Sequence, residues 1–182
     1  RDILLENGIN AFFSSCVTTG FERDKYLKKS IPEGIIVVGP FDRLKPNLNY
    51  KSIFKFLISI LKFPGKAINY NLKLKKFNKY LGKQRQSVKV FDQITSHKIK
   101  SHIEGLRYAN EMLEKIAESE IMITSRIHAA LPAVAMGLKV IFIDEGLEHE
   151  NHKQRLSGLK NYFTNVNLNE FLMLNLDDIQ MM

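Results

Sequence analysis

A serine, an arginine and a histidine stand close together where a predicted strand turns into a predicted helix. Ser125, Arg126 and His128 follow the apolar run 121–124, and the residues after them have helical spacing. A helix N-terminus offers unpaired N–H groups and a positive dipole end, and Ser125 is a good N-cap residue. Arg126 adds a guanidinium suited to carboxylate or phosphate, and His128 is placed to transfer a proton. The three residues predict an anion site with acid–base chemistry; the alternative is that they only cap and pack the helix.

A second polar segment follows the short predicted strand 9–13. It contains Ser14, Ser15 and Thr18 and ends in glycine. A loop dense in small hydroxyls after a strand is suited to binding an anion or a sugar acceptor. The alternative is an ordinary polar loop in which Cys16 is a small buried hydrophobe.

Both polar segments belong to an alternating pattern of strands and helices. Strands are predicted at residues 9–13, 34–40, 87–91, 121–124 and 140–143, a turn or short strand at 165–166, and helices at 48–63, 68–81, 102–119, after 125, at 154–163 and at 170–174. Pro64 and Gly65 should separate the first two helices, and Pro132 should kink the helix after Ser125 or delay its start. The alternation predicts an α/β, Rossmann-like fold with a mostly parallel sheet and helices on both faces. Ligands of such sheets bind at the carboxyl ends of strands, where both polar segments fall.

Length and composition set the broad class. The 182 residues, 45% of them hydrophobic, suffice for one core, so we expect residues 1–182 to form a single α/β domain. Because the chain begins with Arg1 and not with Met, we expect it to be part of a longer enzyme. The lone Cys16 excludes an internal disulfide and favours a reducing compartment, which predicts a cytoplasmic location. The sequence contains no charge-free run of eighteen apolar residues, so we predict no membrane-spanning helix.

Most of the positive charge lies in residues 43–107. The chain carries a formal net charge of +8, and only Asp92 and Glu104 oppose the cations of this region. Helix 68–81 is predicted to be basic and amphipathic, which favours peripheral contact with an anionic membrane face, at about 1 kcal/mol per Lys or Arg. The alternative is a solvated helix face that covers the sheet. We expect no nucleic-acid partner, because no helix-turn-helix, zinc or single-strand-binding signature accompanies the charge.

Two histidines after residue 146 raise the question of a metal. His149 and His152, with Glu148 or Glu150, have the chemistry of metal ligands. No distant residue supplies a clear third histidine, and loop histidines are mostly surface residues. We therefore expect no metal site.

Four segments together resemble a known family. The run 123–132, followed by Ala135, Met136, Gly137 and an apolar strand, resembles the signature of the polysaccharide pyruvyl transferase family. Arg1 with Asp2, residues 13–18 and residues 154–159 resemble three further segments of that family in the same order. The resemblance spans nearly the whole chain and is assigned to the C-terminal half of a typical member. Ser15 differs from the usual glycine, and Leu138 with Lys139 replaces a residue-proline pair.

The resemblance implies a fold, a reaction and roles for individual residues. Family members have a two-domain, glycosyltransferase-B-like architecture and move the enolpyruvyl group of phosphoenolpyruvate onto sugar hydroxyls, forming a pyruvate ketal and releasing phosphate. Arg126 and the backbone around Ile127 and His128 would then bind phosphoenolpyruvate beside Ser125. Arg1 would be a second anion clamp, and His128 would be the acid–base residue. No cofactor is implied beyond the donor substrate itself.

These inferences predict a pyruvyl transferase acting on a surface polysaccharide or its lipid-linked precursor. The chain would be the C-terminal part of a two-domain enzyme and would act in the cytoplasm, in peripheral contact with the membrane face. Two alternatives stay open at this point. One is a nucleotide-sugar glycosyltransferase of the same architecture, and the other is a non-catalytic module of a polysaccharide-synthesis system.

Overall fold

A computed structural model of the chain describes residues 6–8, 17–28, 31–48, 50–92, 99–147, 158, 160–176 and 179, and the structural statements below concern these residues. The described strands are β1 (Ile35–Val38), β2 (Val88–Phe91), β3 (Ile121–Thr124), β4 (Lys139–Ile143) and β5 (Thr164–Val166). The described helices are α1 (Ile53–Leu81), α2 (His102–Ala117), α3 (Ile127–Ala135) and α4 (Leu168–Phe171). Short 3-10 turns cover Val17–Gly20, Arg23–Lys25, Asp42–Leu44 and Lys160–Tyr162. The predicted strand 9–13 lies outside the described residues.

The five strands form one parallel sheet in the order β2-β1-β3-β4-β5. The register aligns Val38, Thr124 and Phe142 at the carboxyl ends of β1, β3 and β4. Parallel neighbours need crossover connections, and α1, α2 and α3 supply those between β1 and β4. The α/β class and the Rossmann-like parallel sheet predicted from the alternating pattern are confirmed.

The strand order reverses between β1 and β3. From β1 the chain crosses through α1 to β2 on one side, returns through α2 to β3 on the other side, and continues through α3 to β4. The connections that leave the carboxyl ends of β1 and β3 therefore diverge. Such a divergence opens a crevice at the sheet edge, which is where open α/β sheets bind ligands.

The two faces of the sheet build separate cores. Alternate strand residues such as Val38 and Met122 pack with α2 and α3 on one face. Their neighbours, such as Val37 and Ile123, pack on the other face with Phe77 of α1 and with α4. Because strand side chains alternate, a four-residue strand that is buried throughout must be covered on both sides. The prediction of helices on both faces is confirmed.

Helix α1 corrects the prediction of two helices separated at Pro64 and Gly65. It runs unbroken from Ile53 to Leu81, with Ser52 as its N-cap. Pro64 leaves the carbonyl of Ile60 without its helical donor, but this part of α1 is exposed, so water can replace the lost bond. No described helix is apolar enough over a sufficient length to cross a bilayer.

Helix α3 corrects the predicted helix start. Arg126, and not Ser125, is the N-cap, and the helix begins at Ile127. Pro132 lies inside the helix and does not end it. The helix ends just before Gly137, which has a φ of 73°. The N–H of Gly137 donates to the carbonyl of Val134, and the N–H of Leu138 donates to the carbonyl of Ala133. These two bonds form a Schellman motif.

The C-terminal elements are partly as predicted. Strand β5 covers the predicted 165–166. The helix predicted at 170–174 is instead α4, Leu168–Phe171, because Asn167 and Glu170 form a reciprocal capping box that sets an earlier start. Most of the predicted helix 154–163 lies outside the described residues, and its described end is the 3-10 turn Lys160–Tyr162.

Candidate functional site

The crevice between β1 and β3 holds a solvent-open pocket. Its wall is formed by Asp42 and Arg43, which follow β1, and by Ser125 and Arg126, which follow β3. The cavity volume is about 290 Å³, enough for a small metabolite. The pocket therefore lies where the topology alone would place a ligand.

Two buried hydroxyls tie the carboxyl ends of β1 and β3 together. Thr124 Oγ1 donates to the carbonyl of Val38 at 2.7 Å and accepts the N–H of Arg126 at 3.0 Å. Ser125 Oγ donates to the carbonyl of Gly39 at 2.7 Å. The Ser125 hydroxyl is therefore committed to the neighbouring strand end and does not cap α3. These bonds hold the N-cap residue Arg126 at the crevice.

Arg126 forms an ion pair across the crevice. Its Nε and Nη2 lie 2.6 and 2.5 Å from the same oxygen, Oδ2 of Asp42. Both side chains are about a quarter exposed, at 26% and 29%. Within the described part of the chain, Nη1 of Arg126 has no hydrogen-bond acceptor. The guanidinium is therefore held in place by one carboxylate oxygen and keeps donors for a second anion.

The pair depends on a close approach of the backbone at Gly39. This glycine has φ of 49°, in the left-handed region. A Cβ at this position would lie 1.9 Å from Asp42 Oδ2 and 2.7 Å from Arg126 Nε. Only glycine leaves room for the two side chains to meet here.

The first turn of α3 adds backbone donors beside Arg126. The N–H groups of Ala129 and Ala130 both bond to the carbonyl of Arg126. Those of Ile127 and His128 have no partner among the described residues. Two free N–H groups and the positive end of the helix dipole thus lie next to the guanidinium. This is the arrangement that binds phosphate and carboxylate groups at helix N-termini.

The predicted site residues fall into three groups. Ser125 and Arg126 line the pocket; Ile127 is half-buried and His128 is exposed, and neither lines the wall. Thr18 lies in the turn Val17–Gly20, which packs beside α3. The predicted residues outside the described part of the chain are Arg1, Ser14 and Ser15, and the histidines considered as metal ligands, His149 and His152, also lie outside it. Among the residues with described positions, no group of three His, Cys, Asp or Glu side chains is arranged to hold a metal ion.

Sequence reasoning missed Asp42 and Arg43. We placed no site residue between the predicted strand 34–40 and the predicted helix 48–63, yet Asp42 and Arg43 form one wall of the pocket. A signal was present, because Asp42 and Arg43 stand just after the apolar run predicted as strand 34–40. The carboxyl ends of parallel strands meet at one edge, so charged residues after any buried strand are site candidates.

Comparison with known proteins identifies one family. The family model described as polysaccharide pyruvyl transferase matches residues 1–146, which include β1 to β4 and the whole pocket wall. No curated protein and no solved structure matches the chain. The match lies in the N-terminal part of the 182 residues, which corrects the sequence analysis: it does not support the assignment to a C-terminal half, and residues 154–159 lie beyond it.

Proposed function

The chain belongs to the polysaccharide pyruvyl transferase family, and on that premise we propose that it moves the enolpyruvyl group of phosphoenolpyruvate onto a sugar of a surface polysaccharide or its lipid-linked precursor. Membership makes the chain a transferase. The observation that carries the proposed donor is the cluster of anion-binding groups at the crevice, where Arg126 stands beside the N–H groups of Ile127 and His128, which have no partner within the described ranges.

The donor has two anionic groups, and the crevice offers two kinds of anion site. The phosphate would bind at the helix N-terminus, where backbone donors and the dipole favour a compact dianion. The carboxylate would bind the free edge of the Arg126 guanidinium, which suits a planar anion. Arg43 adds a second cation to the same wall. We propose Arg1 as a further clamp.

The chemistry requires a proton transfer beside this anion site. The methylene carbon of the donor gains a proton, and C2, made electron-poor, is attacked by sugar hydroxyls. Two hydroxyl oxygens bond to C2 and the C2–O bond to phosphate breaks; one hydroxyl proton becomes part of the new methyl group and the other leaves with phosphate. We propose that His128 carries the proton to carbon. Since His128 lies outside the pocket wall, the reacting carbon must lie over the first turn of α3.

The first experiment is a titration of the protein with phosphoenolpyruvate by calorimetry. For Arg126→Ala we expect donor affinity to fall about a hundredfold, because a charge-assisted pair of hydrogen bonds is lost, at about 1.5–3 kcal/mol. Arg107→Ala, which removes an exposed arginine of α2, serves as the matched control and should bind normally. Equal affinity in wild type and Arg126→Ala would refute the donor site.

The second experiment separates binding from turnover at His128. For His128→Ala we expect donor affinity within about twofold of wild type and phosphate release slowed by about 10²–10⁴, the usual contribution of a general acid or base. The matched control is His102→Ala, which removes the exposed histidine that begins α2. An active His128→Ala variant would remove His128 from the mechanism and leave the donor site intact.

A nucleotide-sugar glycosyltransferase is the second candidate, because a switch-point crevice in a doubly wound sheet is also where nucleotides bind. The product distinguishes the two: phosphate released from phosphoenolpyruvate supports the pyruvyl transfer, and a nucleoside diphosphate supports the rival. The third reading, a non-catalytic module, predicts neither product.

Lys139, one of the departures from the family pattern, begins β4 and pairs with Glu120 at 3.1 Å, at the sheet edge opposite the pocket. That departure therefore does not touch the donor site.

A further inference from the structure

Helix α1 has two halves with different surroundings. Its last three turns pack on the sheet, and Phe77 and Leu81 are its fully buried residues. Its first five turns leave large apolar side chains exposed to solvent, with Ile53 at 83% and Leu61 at 82%. Eight large apolar residues are exposed here, and we call the six most exposed of them the apolar face of α1, leaving out Ile60 and Phe63: Ile53, Phe54, Leu57, Leu61, Ile68 and Leu72. Single exposed hydrophobic residues are ordinary, but a contiguous set marks an interaction surface.

The apolar face lies beyond the sheet edge that carries the pocket. Lys73 of α1 forms an ion pair with Glu145, two residues past the carboxyl end of β4. Lys73 is thus level with that edge, and the twenty residues from Ile53 to Leu72 extend from it by about 30 Å at 1.5 Å per residue. The face and the crevice therefore share one end of the molecule.

Lysines form a row on the polar side of α1, away from the apolar face. At 3.6 residues per turn, the six apolar residues fall within an arc of about 100°, and Lys55, Lys62 and Lys66 form a row that begins about 80° beyond one edge of that arc. This lysine row lines a second surface cavity, of about 250 Å³, together with Asn47 and Ser59. The cavity combines cations with polar donors, which is the chemistry that holds a phosphate.

The charge of the segment has one sign. Residues 43–91 contain thirteen Lys or Arg and no Asp or Glu. A second copy of the chain docked on the same face would bring two strongly basic segments close together, and the repulsion between their like charges opposes such a dimer. An anionic surface has the opposite charge and accepts apolar side chains beneath its charged layer.

We propose that the first five turns of α1 lie on the surface of an anionic lipid bilayer, with the apolar face at the acyl boundary and the lysine row on the polar side of the helix, where the negative lipid surface attracts its charges. The helix rests in the interface and does not cross it, consistent with its apolar face covering only part of its circumference. The crevice with Arg126 then opens near the membrane surface. The proposal concerns a surface outside the donor site, and its test needs neither donor nor acceptor.

The test is sedimentation of the full chain with vesicles of phosphatidylcholine alone or of equal parts phosphatidylcholine and phosphatidylglycerol. We expect binding to the anionic vesicles at least tenfold tighter than to the neutral ones, weakening as salt is raised. The double variant Phe54→Glu, Leu61→Glu should lose at least another tenfold. Leu106→Glu, at a 68% exposed leucine of α2, is the matched control and should bind within about twofold of wild type.

The variants change outward side chains, so unchanged thermal unfolding is expected and is measured in parallel. Lys55→Gln with Lys62→Gln should reduce the preference for anionic vesicles. Absence of binding to the anionic vesicles, equal binding to both kinds, or unchanged binding by the double variant would each overturn the proposal. So would self-association that the double variant abolishes in the absence of lipid, because the face would then be covered by a second copy. Donor titration is independent of all four outcomes.

Discussion

Two arginines at opposite edges of the sheet use their guanidinium groups differently. Arg23, at the amino edge, donates from Nε to the carbonyl of Ala117 at 2.8 Å and from Nη2 to the carbonyl of Ser119. These carbonyls end α2 and lead into β3. Burial lowers the pKa of Arg23, and the nearby carboxylates of Asp24 and Glu120 oppose that shift. Arg126, at the carboxyl edge, instead bonds to the side-chain carboxylate of Asp42 on a pocket wall.

The two arginines differ in whether a ligand can replace the hydrogen-bond partner of the guanidinium. Backbone carbonyls at a helix C-terminus need a donor, so Arg23 completes the fold and has little to offer a substrate. Asp42 is a partly exposed side chain with one carboxylate oxygen on Arg126, and an incoming anion can share or displace it. An arginine at a strand's carboxyl end with a charged partner is a site candidate. One that satisfies main-chain carbonyls is structural.

We expect the largest effect from Gly39→Ala, which disturbs the ion pair between Arg126 and Asp42. The new Cβ would overlap Asp42 Oδ2 and press on Arg126 Nε, and alanine would be strained at a φ of 49°. We expect the free energy of unfolding to fall by about 2–4 kcal/mol and donor binding to weaken strongly, measured by urea unfolding and calorimetry.

The matched control for Gly39→Ala is Gly65→Ala in the exposed part of α1. A Cβ there meets nothing within 4 Å, and alanine favours the helix by about 1 kcal/mol over glycine. The control should be as stable as wild type or more so. If Gly39→Ala were as stable as Gly65→Ala and bound the donor normally, the close approach of Gly39 to Asp42 and Arg126 would be refuted.

The next effect is at the other arginine. Arg23→Ala leaves the carbonyls of Ala117 and Ser119 without this donor, so we expect a loss of about 1–3 kcal/mol in the free energy of unfolding. Phosphoenolpyruvate affinity should stay within about twofold, because Arg23 lies at the edge away from the crevice. Urea unfolding and calorimetry test both parts, with Arg107→Ala as control. A loss of donor affinity without a loss of stability would reverse the assignment of the two arginines.

Sequence reasoning located the Arg126 side of this comparison because its signals are local. Two apolar runs flanking helical spacing predicted β3, α3 and β4, and small polar residues marked the turn between them. The start of α3 was placed wrongly because the Ser125 hydroxyl bonds the carbonyl of Gly39, 86 residues away, and does not cap the helix. A local sequence pattern contains no information about such a long-range bond.

The missed parts are long-range for the same reason. Asp42 is polar after a strand, and only the strand order brings it beside Arg126. The break predicted at Pro64 is a fair reading of local propensity, but the cost of proline is reduced where water reaches the freed carbonyl. That α1 would extend past the sheet edge could not be foreseen, because its amino-terminal turns alternate apolar and basic residues like any amphipathic helix that covers a sheet.

We expect the smallest effect from Asp42→Asn, which tests the comparison most sharply because donor affinity should rise and not fall. In Asp42→Asn the carboxylate charge that competes with an anionic donor is gone, so we expect phosphoenolpyruvate to bind about threefold to tenfold more tightly. Turnover should fall about tenfold, a change of about 1.4 kcal/mol, because a neutral amide holds the guanidinium less firmly than a carboxylate does. Steady-state kinetics would show KM and kcat falling together, which a purely structural carboxylate would not produce. Asp24→Asn, the same change beside Arg23, is the control and should alter neither constant. If Asp42→Asn instead weakened donor binding as Arg126→Ala does, the carboxylate would be needed to shape the anion site, and Arg126 would resemble Arg23 in depending on a permanent partner.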